Sequence, residues 1–161
     1  MGLDCEVVWW WKTLWKIKCL PKNKLFMWFV LENKALPWDN FQKRSFQGPG
    51  WYSLCKGEYE SVIHLFLHCS YTLAVWKECT KHFGINCVWR GYTILLAWEQ
   101  WRRTCLNGFL NALPFLVIWG IWLAHNNLIF SNKCCTPEIT ASLTCGIMEA
   151  FPHHIKARQQ R

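Results

Sequence analysis

The chain has 161 residues, enough for one domain with its own core or one domain plus an extension, and a formal net charge of +8. Hydrophobic residues make up 52% and charged residues only 17%, a balance that excludes a chain disordered throughout. Thirteen Trp and ten Phe must be buried or covered, so self-association through exposed aromatics is expected of the isolated chain.

In chain order, the first feature is a basic run, Lys12, Lys16, Lys18, Lys22 and Lys24, extended by Lys43 and Arg44. Cations interleaved with Trp suit phosphate contacts and base stacking, so weak, sequence-tolerant binding of RNA or DNA is expected; solvated helix faces are the plainer reading. Pro21 opens a helix predicted over 21–36, with Leu25, Trp28, Phe29 and Leu36 near helical spacing. Pro37-Trp38-Asp39 stops it, Asp39 caps a short segment carrying Phe41, and FQGPGW at 46–51 reads as a turn-rich loop.

Ser61 starts the next helical stretch, predicted over 61–82 with a restart at Ser70 or Thr72 and with Leu73, Val75 and Trp76 facing inward. Gly84-Ile85-Asn86 breaks it, and only Cys87 to Tyr92 hints at a strand. Helices are expected over 94–103, 114–130 and 137–151, the last capped by Thr136, with a basic tail at 152–161. The apolar stretch Leu113 to Ala124 is shorter than the roughly 20 residues a membrane span needs, so it reads as a buried core helix and no membrane is expected.

Ten Cys would suit a disulfide scaffold, but the N-terminus MGLDCEVVWWWK lacks a signal-peptide pattern, so an intracellular chain with reduced or metal-ligating thiols is expected and no compartment is assigned. Cys55, His64 and Cys69 stand out because structural zinc sites take soft ligands from a tight turn and a helix, and Cys55 follows a Gly-Pro-Gly turn. The position three before Cys55, where a second turn cysteine would complete the pattern, holds Tyr52. The competing reading is two buried thiols and a helix-face histidine. Enzyme chemistry is not expected: polymerase and ribonuclease H reactions need clustered carboxylates, and the two Asp residues, Asp4 and Asp39, lie far apart.

The ordered set Trp11, Trp15, Lys16, Pro21, Lys22, Phe26, Trp28, Lys43, Arg44, Cys55, His64, Cys69, Val75 and Trp76 resembles the zinc-binding domain that follows the reverse transcriptase of plant non-LTR (LINE-type) retrotransposons. The resemblance covers about residues 9–82, and LPFLVIWGIWLAHNNLIFSNK at 113–133 is similar to the segment leading on to ribonuclease H, with His125 where Arg is usual. It implies a mostly α fold, a small irregular helical domain at 9–82 around a zinc-knuckle-like turn and a helical extension at 83–151. It also implies a zinc site at Cys55, His64 and Cys69, weakened because the family's first cysteine falls on Tyr52, whose phenol is a poor zinc ligand at neutral pH. The function implied is a non-catalytic, retrotransposon-derived nucleic-acid-binding module. A decayed helical remnant without zinc, inactive or kept as a protein-interaction surface, is the alternative.

Overall fold

The computed structural model describes residues 4–35, 54–55 and 61–159. Tyr52, Lys43, Arg44, the Asp39-capped segment and the loop at 46–51 lie outside the described residues. Helices α1 (Asp4–Lys16), α2 (Pro21–Leu31), α3 (Ser70–Phe83), α4 (Ile94–Thr104), α5 (Leu113–Ser131) and α6 (Pro137–Gln159) are joined by a π-helical turn at His64–His68 and a 3-10 turn at Gly108–Ala112. The fold is all α, with no strand among the described residues; Cys87 to Tyr92 forms neither helix nor strand.

The boundaries follow local chemistry. Pro21 sits at the start of α2, where its missing N–H costs nothing. α2 ends at Leu31, short of the expected 36, as Asn33 turns left-handed with φ 53°. Gly84, at φ 62°, closes α3 by donating to the Lys81 carbonyl, and Asn132, at φ 50°, closes α5. Thr93 and Thr136 accept from the Leu96 and Ile139 amides and so cap α4 and α6. α6 continues beyond the expected 151 to Gln159.

The centre of the fold is α5. Leu113, Phe115, Val117, Ile118 and Ile121 are all fully buried. Its length and composition would allow a membrane crossing, yet most of that apolar stretch is buried within the fold. α2 packs on it through Phe26, whose ring lies 5.3 and 5.5 Å from those of Trp119 and Trp122. α6 covers α5 and α3, and the Tyr71 hydroxyl donates to the Cys135 carbonyl at 2.8 Å to hold the start of α3 against the α6 entry. α4 inserts the buried Trp98 and Trp101, and Trp9 of α1 lies 5.7 Å from Trp98. One buried cluster thus runs from Trp10 to Met148.

Three expected faces differ. Leu73 is half exposed while Thr72, Val75 and Trp76 turn inward. In α2 the buried face carries Asn23, Phe26, Met27 and Val30 instead of Leu25. Trp11 and Trp15, among the Trp that must be buried or covered, are 44% and 40% exposed and pack edge-on against each other, because Trp10, Leu14 and Ile17 take the inner stripe.

Gly120 marks a close approach of α5 and α6: a Cβ there would sit 2.7 Å from Thr144 Oγ1, which donates to the Thr140 carbonyl. Gly120→Ala should therefore destabilise the fold by about 1–2 kcal/mol net of the alanine's helix propensity. Adding Thr144→Ala should restore most of the loss. Chemical denaturation of the single and double variants checks this, and additive effects would contradict the contact.

Candidate metal centre

The H-x4-C spacing presents a geometric problem. In an α-helix, residues five apart point about 140° away from each other, so His64 and Cys69 would not face one ion. The chain solves this by widening. Ser61 Oγ accepts from the His64 amide at 3.0 Å and starts the turn, and the Cys69 amide donates to the His64 carbonyl at 2.8 Å, five residues back. That i→i+5 bond stacks Cys69 over His64. Cys69 then leaves the helical region (φ −60°, ψ 136°) and serves as the N-cap residue of α3, its carbonyl accepting from Leu73 at 2.9 Å.

The widening frees carbonyls that an uninterrupted helix would use, and each buried one needs a donor. The Thr72 hydroxyl donates to the Leu65 carbonyl, and the Trp89 indole N–H donates to the Phe66 carbonyl at 3.1 Å. Leu65, Phe66 and Leu67 are buried around the turn. The two ligands therefore sit on a frame anchored in the core.

Cys55, in the short turn at 54–55, brings its Sγ to 3.2 Å from His64 Nε2. The ligand atoms of Cys55, His64 and Cys69 all lie within 4.8 Å of one another, the group among the described residues that can hold a metal ion. A tetrahedral zinc with Zn–S about 2.3 Å and Zn–N about 2.0 Å separates its ligand atoms by about 3.5–3.8 Å, so the three fit one ion with small adjustments. His64 and Cys69 are buried and Cys55 is half-buried. Burial, followed by the neighbouring Cys55 thiol, pushes the Cys69 thiol up to about 12. Without a metal the Cys69 thiol therefore holds its proton, and a bound cation would displace it.

His68 does not join: it is exposed and lines a separate groove. Cys79 is buried against Cys145, and Cys87 lies beside Thr104 and Cys105, so neither supplies a fourth ligand. The fourth position suggested by the sequence, Tyr52, lies outside the described residues. Of the predicted cations, Lys12 and Lys16 are exposed on α1. Lys22 lies 5.5 Å over the Trp119 ring, and Lys24 donates to the Trp15 carbonyl at 3.0 Å and caps α1.

Residues 2–76 match the family described as zinc-binding in reverse transcriptase. The match contains Cys55, His64 and Cys69. The first half of the chain is thus similar to a zinc-binding domain associated with reverse transcriptases. No curated protein and no solved structure shows a significant match to the chain.

A pH dependence follows from the buried thiols. Cys19 and Cys87, like Cys69, are pushed up to about 12 chiefly by burial. A folded-state value above the ordinary thiol value gives stability that is complete below about pH 9 and drains away as pH rises towards 12. The metal-free protein should therefore lose denaturant resistance steadily between pH 9 and pH 11; an unchanged midpoint across that range would contradict the buried-thiol assignment.

Proposed function

We propose that the chain is a zinc-binding, nucleic-acid-binding module derived from a LINE-type retrotransposon and non-catalytic on its own. The observation that carries the proposal is the Cys55–His64–Cys69 cluster inside the region similar to the reverse-transcriptase zinc-binding family. Two thiols and an imidazole are the donor set zinc favours over harder cations. Bound there, zinc would supply a cross-link between the turn at 54–55 and the start of α3. Cys55 and Cys69 would bind as thiolates and His64 through Nε2, the atom facing Cys55.

The nucleic-acid part rests on charge. The net charge of +8 supports electrostatic binding that needs no defined site, and Lys12 and Lys16 lie exposed beside Trp11 and Trp15. Lys22 and Lys24 are partly engaged by Trp119 and the Trp15 carbonyl, so they are the weaker phosphate contacts of the run. Lys43 and Arg44 belong to the same proposal on sequence grounds. The chain has only two Asp residues, Asp4 and Asp39, 35 positions apart in the sequence, a sparse supply for two-metal phosphoryl chemistry that favours a module assisting a polymerase.

Competitive zinc titration tests the site. The natural chain should bind one zinc, and Cys69→Ser should abolish binding. Tyr52→Cys should raise affinity at least tenfold by supplying the thiolate that the family pattern places there, since a complete structural site is worth on the order of 10–16 kcal/mol. Equal affinities for the natural and Tyr52→Cys chains would show that position 52 does not reach the ion. A natural chain without affinity for zinc would favour the decayed remnant.

For nucleic acid, Lys12→Glu with Lys16→Glu should weaken binding of a single-stranded oligonucleotide several-fold and flatten its salt dependence. Fluorescence anisotropy at two salt concentrations measures both, and salt-independent binding would contradict the charge argument.

A further inference from the structure

A groove of about 670 Å³ borders the π-helical turn at Leu67 and His68. One wall is α3, with Leu73, Lys77 and Thr80; the other is the segment carrying Trp89, Arg90 and Tyr92. We propose that this groove binds a single strand of nucleic acid, its phosphates held by Lys77 and Arg90 and an unpaired base stacked on Tyr92. The proposal rests on the nucleic-acid reading above and assigns it a site whose contact residues, Lys77, Arg90 and Tyr92, lie beyond the segment that matches the zinc-binding family.

The second wall is fixed although it forms no strand. The Val88 amide donates to Thr104 Oγ1 at 2.9 Å, and the Trp89 indole donates to the Phe66 carbonyl at 3.1 Å. Gly91 lies so close to α4 that a Cβ would sit 2.9 Å from the Ala97 nitrogen. Trp89 also stacks on Trp76, with ring centroids 5.2 Å apart and planes 19° apart, which makes a rigid floor. On that frame Tyr92 is 88% exposed and Leu73 52%, an unusual placement for an aromatic and an aliphatic side chain on one groove.

The charge indicates the occupant. Among the described residues no carboxylate lines the groove, and Lys77 and Arg90 are exposed and form no ion pair. Cations flanking an exposed ring are the pattern that tracks a phosphate backbone while stacking its bases. A duplex keeps its bases stacked on one another and leaves none for Tyr92, so a single strand fits better.

The test uses the full chain and labelled 12-nucleotide oligouridylate, oligothymidylate and a duplex, read by anisotropy at two salt concentrations. Tyr92→Ala should weaken single-strand binding about tenfold while Tyr92→Phe binds as the natural chain does. Lys77→Glu with Arg90→Glu should weaken it further and lower the slope of log affinity against log salt by about 0.7 per lost contact. All these positions are exposed, and unchanged circular dichroism and melting would confirm an intact fold. If Lys12→Glu with Lys16→Glu weakens binding while the Tyr92, Lys77 and Arg90 variants do not, the groove assignment is overturned and the nucleic-acid reading stands. If the natural chain binds no oligonucleotide, both fall. Equal or tighter duplex binding, or equal competition by polyglutamate, overturns the single-strand assignment.

Discussion

The hydrogen bond from the Cys69 amide to the His64 carbonyl, five residues back, is the constraint on which the site depends. An α-helical turn here would send the two side chains to different sides of the helix. The widened turn aligns them, and the extended backbone of Cys69 then starts α3 in a new direction. A single local departure from α geometry thus sets the ligand pair and the course of the helix that forms one wall of the groove.

That departure is held by the core. The carbonyls of Leu65 and Phe66, left over by the widening, are taken by the Thr72 hydroxyl and the Trp89 indole. Trp89 belongs to the segment after α3, so the same residue stabilises the turn and fixes the second wall of the groove. Phe66, buried in the turn, packs edge-on against Phe26, which in turn meets Trp119 and Trp122 of α5. The metal cluster and the groove therefore share one support. Metal binding at Cys55, His64 and Cys69 would stiffen the turn whose His68 lines the groove.

Much of this was legible in the sequence because it is written in caps and breakers. Pro21, Ser61, Gly84 and Thr136 mark helix limits by local chemistry that does not depend on the fold, whereas the restart expected at Ser70 or Thr72 is set by the extended backbone of Cys69. The spacing of Cys55, His64 and Cys69 marked the cluster, although spacing alone does not reveal that a π-helical turn is what makes five residues suffice. The missed features are tertiary. α1 was hidden because Trp9-Trp10-Trp11 is apolar at every position, and only Trp10, Leu14 and Ile17 carry its inner period. α2 is apolar almost all round from Leu25 to Leu31, so sequence cannot choose the face that meets α5. The groove had no sequence signal, since Lys77 and Tyr92 are brought together only when the Trp89 indole reaches the turn.

The account stands most directly on the metal centre, and X-ray absorption at the zinc edge of the purified full chain tests it. The account predicts one zinc per chain with two sulfur neighbours at about 2.3 Å and an imidazole nitrogen at about 2.0 Å. The sulfur signal should be lost when Cys55 and Cys69 are both replaced by Ser. A chain purified without zinc, or one whose zinc sees only oxygen and nitrogen, would contradict it.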